Sequence, residues 1–197
     1  RICSGGMSAS SGFKRAYRAA KLEEKTVDAQ YVLGGENDAE ITRMIKAVVA
    51  AEEPISARFL IKRVLSALGI FKFGVKLENK LNSLIEKCAF RSEIVAGIQY
   101  FFRTDKFSSF DRYRVEEGAQ LRTQDTDYSA YDVISAIRSI LLSKVSLYCD
   151  ELLVCVQREF KVHRLSDKFA SFISSCVDWG VQKGIFIRSV SDKISLV

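Results

Sequence analysis

Apolar residues recur along this chain every three to four positions, in blocks separated by turn-forming residues, and each block predicts a short amphipathic helix. In the first, Ile41, Ile45, Val48 and Val49 fall at i, i+4, i+7 and i+8. Asn37 or Asp38 caps its start, because a short polar side chain accepts bonds from the open N–H groups of the first turn. The helix runs to about Ala51. Pro54 cannot continue it and pushes Glu53 out of the α region. Ser56 caps a second helix whose inward stripe is Leu60, Ile61, Val64, Leu65 and Leu68, with Gly69 as a left-handed stop. After the loop Phe71–Gly74 a third helix begins near Val75, with Leu77, Leu81, Leu84, Ile85 and Cys88 inward. The spacing then changes. Ile94 and Val95, the pair Ala96-Gly97, then Ile98, Tyr100 and Phe102 predict a β-hairpin turning at Ala96-Gly97.

The pattern starts again downstream. Val133, Ile134, Ile137, Ile140 and Leu141 form one stripe. Leu152, Leu153, Val156 and Phe160 form the next, which Asp150 caps, and Phe169, Ile173, Cys176 and Val177 form a third behind a Ser166 cap. Lys183-Gly184 ends that helix, and a terminal hairpin turns about Ser189 to Asp192. Sliding the chain by about 92 residues brings Ile41 onto Val133, Leu60-Ile61 onto Leu152-Leu153 and Leu81 onto Ile173, with no gap across three helices. The expected organisation is therefore a linker over 1–36, one unit over 37–103, a connector over 104–128 and a second unit over 129–197. Residues 1 to about 12 read as flexible, and 13–25 as a short basic helix carrying Phe13, Tyr17 and Leu22, before Gly34-Gly35 breaks the chain. The connector has no period, but Phe107, Phe110 and Tyr113 predict that part of it packs down.

Three helices followed by a hairpin, twice, give a fold class that is mainly α with small β-hairpins (α+β), in tandem winged-helix-like units. In such a unit the third helix buries one stripe and presents the other to a DNA major groove, and the hairpin touches the adjacent backbone. Lysine on that outer face meets phosphates, and Asn or Ser beside it reaches phosphates or base edges. The residues that fit are Lys72, Lys76, Asn79, Lys80, Ser83 and Lys87 in the first unit, and Arg164 and Lys168 in the second. The first unit carries eleven Lys and Arg against seven Asp and Glu, the second nine against seven, so the first is expected to dominate binding.

Net charge adds little to this: +6 over 197 residues suits an acidic partner but is common among soluble domains. Five cysteines at irregular spacing argue against a disulfide framework and fit free thiols in a reducing cytoplasm. With no CxxC and a single histidine, His163, neither a zinc site nor another cofactor is expected. No apolar run approaches the roughly 20 residues of a membrane helix. The chain opens on Arg1 and not Met, so it reads as a piece of something longer.

The stretch carrying Val48-Val49, Glu52, Pro54-Ile55, Arg63-Val64, Leu68-Gly69 and Gly74 resembles an uncharacterised family, the domain of unknown function at the C-terminus of large bacterial superfamily-1 helicase proteins. Those proteins often also carry a restriction-endonuclease-like domain. The chain departs from the family at Glu53, where Gly is usual. Phe101-Phe102 and Tyr113-Arg114 also look like the family. The resemblance implies a parent that processes nucleic acid, with motor and nuclease elsewhere, and it assigns no catalytic residue.

Other constellations are weaker. Glu52-Glu53 and Asp150-Glu151 stand at helix boundaries, where capping and dipole effects account for them. Gly5-Gly6 and Gly34-Gly35 lack the following Lys-Ser/Thr of a phosphate loop. His163 reads as an exposed loop residue and Trp179 as partly core. The expectation is a non-catalytic module binding duplex or forked DNA beside parent helicase or nuclease domains. The alternative is a module that docks a partner subunit or the parent's motor domain. No sequence feature supports a hydrolase.

Overall fold

The structure, a computed structural model, describes residues 12–103, 110–117, 122 and 127–197. The expected flexible start and the packing of Phe107 lie outside these residues, as do Cys3, the Gly5-Gly6 pair and Gly118. The elements in chain order are β1 (Lys14–Ala16), α1 (Ala29–Leu33), α2 (Asp38–Glu52), β2 (Ile55–Ser56), α3 (Ala57–Ala67), α4 (Val75–Lys87), β3 (Arg91–Val95), β4 (Ile98–Phe102), β5 (Tyr113–Val115), α5 (Ala130–Lys144), β6 (Ser146–Tyr148), α6 (Cys149–Glu159), α7 (Asp167–Gln182), β7 (Phe186–Arg188) and β8 (Lys193–Leu196). The fold is mixed α and β, dominated by helices with small antiparallel sheets. No described helix is long and apolar enough to cross a membrane. The described residues divide into two compact units, one from 18–94 and 98–103, the other from 12–17, 95–97, 110–117, 122 and 127–197.

In the first unit the stripes predicted for α2, α3 and α4 meet. Ile41, Ile45, Val48, Leu60, Val64, Leu65, Leu77, Leu81, Leu84 and Ile85 are all buried. Ser56 Oγ accepts from the Phe59 N–H at 3.3 Å, which is the expected cap. Gly69 takes φ +75°, and the Ile70 N–H closes back on the Leu65 carbonyl at 2.8 Å. The predicted hairpin turns through Ala96 at φ +50° and Gly97 at φ +78°, the two positive values a tight two-residue hairpin turn requires. β2 joins the hairpin, giving the strand order β2-β4-β3 with Ile55 opposite Phe101.

Two local expectations for this half of the chain are corrected. Asn37 occupies the N-cap position of α2 but makes no capping bond; its side chain donates to the Tyr31 carbonyl instead. Residues 13–25 form no helix. Their thin apolar content cannot hold one against a core, and backbone bonds take over. In this unit the Lys25 and Val27 N–H groups donate to the Ala67 and Leu68 carbonyls, which the end of α3 leaves open. In the other unit β1 pairs in parallel with β5.

The second unit repeats the scheme. α5, α6 and α7 bury Val133, Ile137, Leu152, Val156, Phe169, Ile173, Cys176 and Val177. The sheet order is β6-β8-β7. Ser166 Oγ accepts from the Phe169 N–H at 3.1 Å, as expected. Asp150 does not cap α6. The helix follows β6 directly from Tyr148, so Asp150 falls in its first turn. Phe110 and Tyr113 do pack down. Phe110 stacks on Tyr131 at 4.8 Å, and Tyr113 is buried with its hydroxyl on Glu159 at 2.8 Å.

The repeat extends to the element boundaries. α2 and α5 start and end 92 residues apart, and so do α3 and α6. α7 then runs three residues further than α4 at that offset, and its hairpin is displaced accordingly. The repeats differ between their first and second helices. Glu53 there has φ −60° and precedes a cis Pro54, whereas its counterpart Val145 has φ +67° and is 79% exposed. A β-branched residue in that region is strained by about 1–2 kcal/mol, and little burial is lost by removing it. Val145→Gly is therefore expected to leave the melting temperature unchanged or raised, against the usual loss for glycine. A fall of several degrees in calorimetry would contradict this.

Candidate nucleic-acid interface

The predicted face of α4 is built by its own periodicity. Leu77, Leu81, Leu84 and Ile85 turn into the core, and a step of about 100° per residue then sets Lys76, Asn79, Ser83 and Lys87 together on the opposite side. All four are exposed, and Lys72 is exposed in the loop before the helix. Among the described residues Lys72, Lys76 and Lys87 have no acidic partner.

Lys80 is different. It is half-buried, with Nζ 2.9 Å from Asp38 Oδ2 in the first turn of α2. This side chain ties α4 to α2, and its charge is matched. Glu86 is exposed on the same outer face and Glu78 lies on its flank, so the face is less basic than its lysines alone indicate. The β3–β4 hairpin adds little charge, because its Arg91 pairs with Glu93 at 3.1 Å.

In the second unit Arg164 and Lys168 are exposed, one in the turn before α7 and one in its first turn. The outer face of α7 otherwise carries Ser171 and Ser175. Arg188 on β7 is drawn onto α7 by Asp178 at 2.8 Å and onto its own hairpin by Asp192 at 3.4 Å. Trp179 is half-buried against Phe110, so its role in the core agrees with the sequence reading. The predicted residues thus form two separate sets, one on each repeat.

The acid pair Glu52-Glu53 is not explained by capping. Glu52 is buried and accepts from Arg63 Nε at 3.0 and 3.1 Å and from the Ala20 N–H at 2.9 Å; Arg63 also donates to the Ala20 carbonyl at 3.2 Å. Glu53 accepts from the Arg103 N–H at 2.7 Å and from its Nε at 3.1 Å. Both acids are structural clamps.

A denser cluster escaped the sequence reading. Asp132 on α5 is buried and binds Arg114 Nε at 3.0 Å, Arg114 Nη2 at 2.6 Å and Arg122 Nη1 at 3.2 Å. Arg122 is fully buried. It pairs with Glu116 at 2.7 Å and lies 4.3 Å from the Tyr17 ring and 4.8 Å from the Tyr128 ring. Burial alone pushes the Asp132 carboxyl up, but the Arg114 and Arg122 charges and the Arg114 hydrogen bonds override it and hold the group down at about 2. The signal in the sequence is slight: an acid in the first turn of a helix, three residues after the Ser129 cap and among largely apolar neighbours. With Arg114 and Arg122 both paired to Asp132, the cluster holds β5 to α5.

Four cysteines are free among the described residues; Cys176 is buried and Cys88, Cys149 and Cys155 are half-buried. Burial pushes the Cys176 thiol far above its ordinary range. Among the described residues no group of three His, Cys, Asp or Glu side chains is placed to hold a metal ion.

No curated protein matches the chain. A family model described as a protein of unknown function, DUF3320, matches residues 33–79. That stretch runs from the end of α1 through α2, β2 and α3 into α4, and it contains the Glu52–Arg63 clamp, the Ser56 cap and the Gly69 stop. Over those residues the chain is similar to an uncharacterised domain.

Proposed function

We propose that the chain is a tandem winged-helix module that binds DNA chiefly through phosphates and catalyses nothing itself. The observation that carries this is the element order in both repeats. A helix, a short strand, two helices and a hairpin are joined so that the last strand lies between the other two. That arrangement leaves the outer face of the third helix open, the face such units present to a groove. Lys76 and Lys87 stand eleven positions apart on α4. That is about 16 Å along the axis, enough to reach phosphates on both sides of a major groove roughly 12 Å wide. The resemblance to the C-terminal domain of superfamily-1 helicase proteins supports a nucleic-acid-processing parent, and free cysteines fit a reducing compartment such as the bacterial cytoplasm.

Duplex binding should weaken steeply with salt, because each phosphate contact releases counterions. The double variant Lys76→Glu, Lys87→Glu is expected to lose at least about tenfold in affinity for a blunt duplex at low salt, with an unchanged circular dichroism spectrum. Lys80 is the wrong probe, since reversing it would oppose Asp38 and loosen α4 from α2. Retained duplex affinity in the double variant, measured by fluorescence anisotropy, would remove α4 as the binding face.

A second reading, protein docking, is favoured by one observation on the second repeat. Ile187 and Tyr148 are exposed on the same face of its sheet, with Val145 exposed where the chain joins β6. A mixed apolar and polar face of this kind suits a partner subunit or the parent's motor domain. Tight capture of such a domain, with no DNA shift at low salt, would favour that reading over the first.

A further inference from the structure

The turn that ends the second helix closes in the same way in both repeats. Gly69 at φ +75° corresponds at the 92-residue offset to Lys161 at φ +54°. The Ile70 N–H to Leu65 carbonyl bond, 2.8 Å, corresponds to the Val162 N–H to Gln157 carbonyl bond, 3.1 Å. The next residue is a planar ring in each case, Phe71 and His163, and the one after it a cation, Lys72 and Arg164. A second cation stands one residue into the following helix, Lys76 and Lys168.

All six side chains are exposed, and Phe71 is 79% exposed. Among the described residues neither ring stacks on a neighbour and none of the four cations has an acidic partner. The fold does not use these rings, because Leu68 and Leu77 on either side of the first turn and Phe160 and Phe169 on either side of the second do the packing. A turn that twice presents a bare ring followed by bare cations one and five residues on matches one chemistry closely. An unpaired nucleotide offers a π-face for the ring and phosphates on both sides for the cations.

Building on the DNA-binding reading, we infer that each repeat carries a single-strand contact in this turn. Phe71 and His163 stack on an unpaired base, while Lys72 with Lys76, and Arg164 with Lys168, hold the flanking phosphates. The module would then favour DNA with an unpaired stretch over a blunt duplex. An acidic segment of protein bearing an aromatic residue would satisfy the same charges, so the probe must separate the two.

The test titrates the full chain, at low salt, with labelled oligothymidine and with a blunt duplex of equal length. Phe71→Ala and His163→Ala are each expected to weaken oligothymidine binding by about fivefold to a hundredfold, and the pair together by more, with duplex affinity unchanged. In Phe71→Trp the introduced indole should restore binding, and its emission should quench as oligothymidine is added. Unchanged oligothymidine affinity in the double alanine variant overturns the inference. So does an equal loss on the duplex, or tryptophan emission indifferent to the oligonucleotide. If the duplex is still bound and still sensitive to Lys76→Glu, Lys87→Glu, the DNA-binding reading survives without this contact. If the unaltered chain binds neither oligonucleotide, both fail.

Discussion

Asp132→Ala is expected to lower the unfolding free energy by about 3–5 kcal/mol, a loss read from urea unfolding. The magnitude follows from what the substitution leaves behind. Arg114 and Arg122 are 6% and 0% exposed, and Asp132 is the acid both share. Removing it takes from Arg114 the carboxylate that binds it in the interior and leaves Glu116 as the acid paired with Arg122 among the described residues. It also takes the acceptor from the Arg114 backbone N–H, 2.9 Å away, by which β5 is held to α5. The pH dependence has a definite sign. A carboxyl held at about 2 in the folded chain, below the ordinary value of about 4, stabilises fully above that ordinary value. The contribution is lost as pH falls through about 2. The unaltered chain and the variant should thus differ most near neutrality and converge in strong acid. A loss below about 1 kcal/mol at neutral pH would show that Arg114 and Arg122 find other partners.

Gly180→Ala is expected to destabilise by about 2 kcal/mol or more, although glycine inside a helix is normally improved by alanine. The gain in helix propensity is about 1 kcal/mol. Against it, a methyl group at Gly180 would overlap the ring of Phe186 on β7, which is buried with 2% of its surface exposed and has no open side to move to. Overpacking of that severity costs about 3 kcal/mol, so the clash outweighs the propensity. The first repeat has Cys88 at the corresponding place, its Sγ on the Leu84 carbonyl at 3.3 Å, and its hairpin is seated differently. A melting temperature equal to or above that of the unaltered chain would mean that the terminal hairpin does not rest on α7 as described.

Much of this architecture was legible because it is local. The stripe Leu77, Leu81, Leu84 and Ile85 can only face one way, and Ser56, Ser166 and Gly69 announce helix ends through the bonds and backbone angles those residues permit. The 92-residue offset followed from the same periodicity, read twice. The candidate face was legible in the same way, since a residue opposite a core stripe is exposed, as Lys76, Asn79, Ser83 and Lys87 are. Lys80 lies on the same helix face, but its partner Asp38 is on another helix, and spacing within α4 carries no trace of it.

The residues that misled share one property. Glu52 and Glu53 stand at a helix boundary, where dipole effects are a sufficient local account, yet each is claimed by a distant arginine. Lys14 to Ala16 has no local reason to be extended; it is a strand because β5, far along the chain, pairs with it. α5 reads as amphipathic from Val133, Ile137 and Ile140, but Ala136, Ser135 and Asp132 on its other sides are buried as well.

What the amino-acid order determined by itself was the three helices of each repeat, the Ser56 and Ser166 caps, the hairpin turns, the duplication and the exposed faces of the two third helices, because backbone preference and apolar periodicity act within a few residues. What only the tertiary structure decided was the partner of each charge. Lys80 is bound to Asp38, Arg63 to Glu52, and Arg114 and Arg122 to Asp132, and this leaves Lys76 and Lys87 unpaired on α4 among the described residues. A charge is satisfied by whatever opposite group the fold brings within a few ångströms, and that distance does not exist until remote segments are packed together.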